Sequence, residues 1–229
     1  MNISRRSMMI GAVGAAITMP ALVLSSTAFA TTEVSADAVS PQTALQRLRL
    51  GNQRYRSGDT IKKSYSPPGS KYVQGQWPFA TVLSCSDSRV DPEDIFDLSP
   101  GNLFVVRVAG NVVDNDVLGS LEYSVEHLNV PLIVVLGHSM CGAVAAADES
   151  LKSGVIPAQY IGDLVEKILP AIRPLPTDHS LATAVAANAQ QSARQVQSRS
   201  AVIAKHTSDG SVMITQATYG LGSRRVAFF

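Results

Sequence analysis

Three residues of this chain carry side chains that a borderline-soft metal ion takes as ligands: Cys85, then His138 and Cys141 as a His-x-x-Cys pair. Two thiolates and one imidazole supply three corners of a tetrahedron and leave the fourth without a protein ligand, which is the pattern of a catalytic rather than a structural zinc site. The same residues also fit a disulfide between Cys85 and Cys141, or two buried thiols beside an unrelated core histidine. Asp87 and Arg89, two and four residues after Cys85, favour the metal. Two thiolates formally cancel the ion's charge, so water there is acidified less than at three neutral histidines and gains from a carboxylate that accepts its hydrogen bond. Such a carboxylate must be kept off the open corner, and the planar, permanently charged fork of Arg89 is suited to hold Asp87 back.

Residues this far apart meet only if strand ends are brought together. Short, continuously apolar runs at 79–84, 103–108, 131–137 and 212–217 alternate with helical spacings. This predicts strands buried on both faces, in a parallel sheet covered by helices. Cys85 follows the first run and His138 the third, at the carboxyl ends where open α/β sheets collect ligands. Val117, Leu121, Val125 and Leu128 mark one helix face between the second and third runs. Further helices are expected over 139–153, 160–169 and 178–199, the last capped by Asp178, and an edge strand over 225–229. Ahead of the core, Ser40-Pro41 opens a helix that carries Ala44, Leu45, Leu48 and Tyr55 and stops at Gly58. A loop over 64–75, containing Pro67-Pro68-Gly69, joins it to the body. The expected fold class is α/β: a central, mostly parallel β-sheet flanked by helices, with an N-terminal helical arm.

The 229 residues are 45% hydrophobic and 16% charged, the composition of one globular domain rather than of a disordered chain. With 19 Lys and Arg against 18 Asp and Glu the formal charge is +1, so no cationic field exists to hold a nucleic acid or an anionic membrane, and a small-molecule partner is expected. No Gly-x-Gly-x-x-Gly follows a strand run and no phosphate-loop motif occurs. Residues 1–30 have the layout of an export signal: Arg5-Arg6, an apolar stretch broken by Gly11, Gly14 and Pro20, and Ala28-Phe29-Ala30 as the cleavage site. Ser4-Arg5-Arg6 resembles a twin-arginine core, while Met8-Met9-Ile10 leaves the general secretory route open. The stretch is shorter than the about 20 uninterrupted apolar residues of an anchor. The expectation is an exported protein, periplasmic or secreted, with no stable membrane anchor after cleavage. The layout is then a signal over 1–30, a leader, arm and connecting loop over 31–78, and a metal-binding core over 79–229.

Cys85-Ser86-Asp87-Ser88-Arg89 and His138-Ser139-Met140-Cys141-Gly142 resemble the two zinc motifs of the β-class carbonic anhydrases. Leu50-Gly51-Asn52-Gln53-Arg54-Tyr55 is similar to that family's N-terminal helix, and residues 100–107, Pro-Gly-Asn-Leu-Phe-Val-Val-Arg, to its second strand. The resemblance implies one Zn2+ per subunit held by Cys85, His138 and Cys141. It also implies hydration of CO2 to bicarbonate and a proton by zinc-bound hydroxide, with Asp87 and Arg89 as the supporting pair. Gln76, Phe104 and Tyr123 match its substrate-pocket residues, backbone donors near Gly142 are expected to hold the bicarbonate, and His127 matches a position proposed as proton shuttle. Gln76, nine residues before Cys85, places the chain with the plant-type branch; the other branch has a tryptophan three residues before its cysteine, where this chain has Val82. Relatives pair through the N-terminal arm, so a homodimer or homotetramer is expected, with Leu45, Leu48 and Tyr55 facing the partner. Relatives on the same scaffold hydrolyse carbonyl sulfide or carbon disulfide, which leaves that activity, or a non-catalytic zinc-binding role, as the alternative. His179 and His206 read as surface or loop histidines.

Overall fold

A computed structural model describes residues 39–63, 73 and 75–229. The expected export signal and nearly all of the expected leader and 64–75 loop lie outside the described residues. Five strands form one sheet: β1 (Ala80–Ser84), β2 (Leu103–Arg107), β3 (Leu132–His138), β4 (Met213–Tyr219) and β5 (Val226–Phe228). The order is β2-β1-β3-β4-β5, with the first four parallel and β5 antiparallel. Every residue of β1 and β3 is buried, which is why their sequences are unbroken apolar runs rather than alternating ones.

The helices are α1 (Pro41–Ser57), α2 (Pro92–Ile95), α3 (Asn115–Glu126), α4 (Gly142–Ser153), α5 (Gln159–Ile172), α6 (Leu181–Arg199) and α7 (Ala201–Ser208). Alternation along the strands sends Val82, Val134 and Leu136 to a core shared with Ala44, Leu48 and Phe96. Leu83, Ile133 and Val135 face Leu121, Val125, Ala193 and Ile203 on the opposite side. Among the described residues no helix is long and apolar enough to cross a membrane.

Three expectations are corrected. The α6 cap is Ser180, whose Oγ accepts from the Thr183 N–H, not Asp178. The short helices α2 and α7 lack a full apolar stripe and were not expected from spacing. Third, Leu48 does not face a partner: it is fully buried in its own chain's core, against which Leu45 and Tyr55 are half-buried. Gly51 makes that docking possible, since a Cβ there would stand 1.8 Å from the Phe96 carbonyl oxygen. Next to it, the Asn52 amide donates to the carbonyls of Ile95 (3.1 Å) and Arg224 (3.0 Å) and accepts from the Val226 N–H (2.9 Å), tying α1 to α2 and β5.

The chain runs from β1 to β2 on one side and returns to place β3 on the other side of β1. The sheet's winding therefore reverses between β1 and β3, and the crevice at their carboxyl ends is the topological switch point. Ser84 is in register with Leu136, so Cys85 and His138 emerge from neighbouring strands at that crevice.

Candidate metal centre

Cys85 is the first residue beyond β1, and its loop is fixed from β2. Arg107 donates through Nε to the Cys85 carbonyl (3.1 Å) and through Nη2 to the Asp87 carbonyl (2.7 Å). The Gly110 N–H donates to Cys85 Sγ at 3.3 Å. His138 ends β3 in register with Tyr219. The Ser139 N–H then bonds the Tyr219 carbonyl (2.9 Å), and Ser139 Oγ accepts from the Leu221 N–H (3.0 Å). Met140 follows with φ +58°, a left-handed turn that folds the chain back so that Cys141 becomes the N-cap of α4.

This turn brings the ligand atoms of Cys85, His138 and Cys141 within 4.8 Å of one another, all three residues buried. Both cysteines are free, so the disulfide reading is not realised. His138 Nδ1 donates to the Ser139 carbonyl at 3.0 Å, which leaves the Nε2 lone pair as the free donor. That Nε2 is buried with no hydrogen-bond partner. A buried ring nitrogen left unsatisfied between two sulfurs is what a metal ligand looks like before its ion is bound, and the S2N set suits zinc.

The electrostatics agree. The neighbouring Cys141 thiol, with His138 and the Gly110 amide, pushes the Cys85 thiol down to about 4 against the opposing effect of burial. Cys141 is pushed up by the neighbouring Cys85 and by its own burial, while N–H groups of the first α4 turn oppose the rise. Burial favours neutral His138, but the negative charge of the neighbouring Cys85 prevails and its pKa rises. Thus one thiolate is already favoured without an ion.

Asp87 and Arg89 form the expected pair with two prongs: Arg89 Nε to Oδ1 at 2.9 Å and Nη2 to Oδ2 at 2.8 Å, with the Arg89 backbone N–H also on Oδ1 at 3.0 Å. These donors hold the Asp87 carboxyl well below the usual carboxylate range. Its Oδ2 stands 3.9 Å from His138 Nε2, beside the ligand set but beyond hydrogen-bond distance.

The remaining candidates form a looser group. Phe104 on β2 is half-buried, 6.2 Å between ring centroids from Tyr123 on α3, and Tyr123 is 5.0 Å from the ring of His127. His127 is exposed and is the C-cap of α3. Gln76 is exposed, as is Trp77, which is therefore not a core residue of this chain. Gly142 is the first residue of α4, with open space where a Cβ would stand.

His179 and His206 do have partners. His179 Nε2 lies 3.0 Å from Asp148 Oδ1, within ion-pair distance though not aligned as a hydrogen bond. His206 bridges Glu126 (2.9 Å) and Ser211 (2.8 Å). Sequence reasoning missed the supports of the centre: Arg107, the Gly110 amide, and Asn188, whose Nδ2 donates to the Gly110 carbonyl at 2.7 Å. No spacing rule reveals them, because each acts through a backbone atom.

The carbonic anhydrase family model matches residues 80–226, which contain all three candidate ligands and the Asp87–Arg89 pair. A carbonic anhydrase of Mycolicibacterium smegmatis is 41% identical over 191 residues, 82% of this chain and 92% of that one. Carbonic anhydrase 2 of Mycobacterium tuberculosis is 39% identical over 190 residues, 81% of this chain and 91% of its own length. Among solved structures, the β-carbonic anhydrase CcaA shares the fold with a TM-score of 0.62 at 27% identity, covering 81% of this chain and 87% of that one. A chain from the crystal structures of two tetrameric β-carbonic anhydrases of Sordaria macrospora shares the fold at a TM-score of 0.62 and 24% identity, over 69% of this chain and 84% of that one. Sequence and architecture agree across the region that builds the metal centre, and the chain belongs to the β-carbonic anhydrase family of enzymes.

Proposed function

We propose that the chain catalyses the reversible hydration of CO2 to bicarbonate and a proton at one zinc ion held by Cys85, His138 and Cys141. The observation that carries this reading is the buried, convergent S2N set with a restrained carboxylate at its edge. When bound, zinc supplies the Lewis acidity that makes water a nucleophile near neutral pH.

The chain's own residues orient and complete the reaction. Asp87, ionised and held by Arg89, accepts a hydrogen bond from the attacking water and aims its lone pair at carbon. Arg89 keeps Asp87 from becoming a fourth ligand. This contact, together with Gln76 nine residues before Cys85, supports the plant-type branch, in which the fourth position stays available. Phe104 and Tyr123, packed on each other, give an apolar wall suited to CO2 in a pocket completed at the dimer interface, where the Gln76 amide and the backbone near Gly142 donate to the developing bicarbonate. His127, exposed beside Tyr123, passes the released proton to solvent. A homodimer or homotetramer covers the exposed apolar surfaces of Leu50, Trp77 and Tyr123. Residues 1–30 direct export, so the enzyme works in the periplasm or outside the cell.

Stopped-flow CO2 hydration by the zinc-loaded protein tests the reading. Turnover well above buffer is expected, with most of it lost in both Asp87→Ala and Cys141→Ala and zinc retention impaired only in the latter. Hydrolysis of carbonyl sulfide or carbon disulfide without CO2 hydration would overturn the substrate assignment.

A further inference from the structure

The hydrogen bond to Cys85 Sγ comes from a short turn whose own closure, the Asn111 N–H on the Val108 carbonyl at 2.9 Å, does not involve the Gly110 carbonyl. Gly110 sits at φ +70°, ψ 14° inside the short turn Ala109–Asn111. A glycine is the residue least restrained about its own backbone torsions. No side chain is available there, since a Cβ would meet Ile168 Cδ1 at 2.8 Å and Ala143 Cβ at 3.1 Å. The restraint comes from outside the turn. Asn188, one turn into the buried face of α6 beyond Ala184 and 1% exposed, donates Nδ2 to the Gly110 carbonyl at 2.7 Å. With Gly110 fixed on its carbonyl side by Asn188, its N–H is aimed at Cys85 Sγ.

We propose that Asn188 is a positioning residue of the metal centre: by holding the Gly110 carbonyl it maintains the N–H···Sγ bond to Cys85 and so sets how strongly that thiolate donates charge to the bound ion. An N–H donor withdraws electron density from a metal-bound sulfur, which leaves the ion a stronger Lewis acid. The effect is of particular use here, where two thiolates would otherwise cancel the ion's charge. Removing the Asn188 amide also leaves a buried carbonyl without its partner, so the turn has reason to move away from its present position.

This inference rests on metal binding by Cys85, His138 and Cys141, and the test separates the two. Cobalt(II) is loaded into the wild-type protein and into Asn188→Leu, Asn188→Ser and, as a control, Val196→Ala, which alters the same helix in a core cluster that contains none of the candidate ligands. The thiolate-to-cobalt charge-transfer band is recorded, and zinc affinity is measured by chelator competition. The expected result is a wild-type band that shifts to lower energy in both Asn188 variants, with zinc affinity falling about tenfold or more, and neither change in Val196→Ala. The pH midpoint of kcat/KM should move upward in the Asn188 variants only. A wild-type protein with no such band defeats the metal reading itself. A wild-type band with the same energy in folded Asn188 variants, or an equal shift in Val196→Ala, overturns the role of Asn188 alone. If neither Asn188 variant folds, cadmium-113 NMR of the wild-type protein decides: scalar coupling between the Gly110 amide proton and the metal through Cys85 Sγ supports the proposal, and its absence overturns it.

Discussion

Arg89 grips both carboxylate oxygens of Asp87, at 2.9 and 2.8 Å, while Asp87 Oδ2 stands 3.9 Å from His138 Nε2. The carboxylate is near enough to orient a water at the centre and is restrained from joining it as a ligand. Replacing Arg89 by Ala frees Asp87 to swing, and kcat/KM for CO2 hydration should fall by about 10²-fold. Lys in its place restores the charge but not the fork, and should recover only part of the loss. Steady-state kinetics with zinc content measured in parallel checks this, because the ligands are untouched.

The depressed Asp87 pKa makes a signed prediction for stability. A carboxylate favoured in the folded state stabilises it at pH above its unfolded value of about 3.9, and that contribution disappears as pH falls through the folded value. The difference in unfolding free energy between wild type and Asp87→Asn should stay constant above about pH 5 and narrow below about pH 4. Denaturant titrations across that range read it out. A difference that grows on acidification contradicts the pairing.

How much of this was legible in the sequence depends on where each contact is made. Strands β1 and β3 were readable because burial on both faces requires unbroken apolar runs, and the convergence of the candidate ligands was readable because Cys85 and His138 stand at the ends of those runs. The Asp87–Arg89 pair is local and was also in view. Gly110, Arg107 and Asn188 were not, since they reach the centre through backbone atoms across 20 to 78 residues of chain. Leu48 carried the apolar pattern of an interface but is consumed by this chain's own core, because an apolar stripe does not state which surface will cover it.

Gly110→Ala should be costly beyond its size. The new methyl group meets Ile168 and Ala143, and the φ of +70° is strained for any residue with a Cβ. A loss of about 1–3 kcal/mol in stability is expected, with weakened zinc retention because the donor to Cys85 moves. Thermal unfolding and chelator competition measure the two effects.

His127 is exposed and removed from the core, so His127→Ala should fold normally. The shuttle role proposed for it would affect regeneration of the nucleophile rather than capture of CO2. The expected result is a fall in kcat with kcat/KM little changed, reversed by added imidazole buffer. A variant with wild-type kcat in weak buffer removes the shuttle assignment.

The central claim is tested most directly by stripping the metal under reducing conditions and titrating zinc back while following CO2 hydration. Activity should be near the buffer rate without zinc, rise in proportion to zinc added, and level off at one ion per chain. A zinc-saturated, folded protein that hydrates CO2 no faster than buffer would contradict the account.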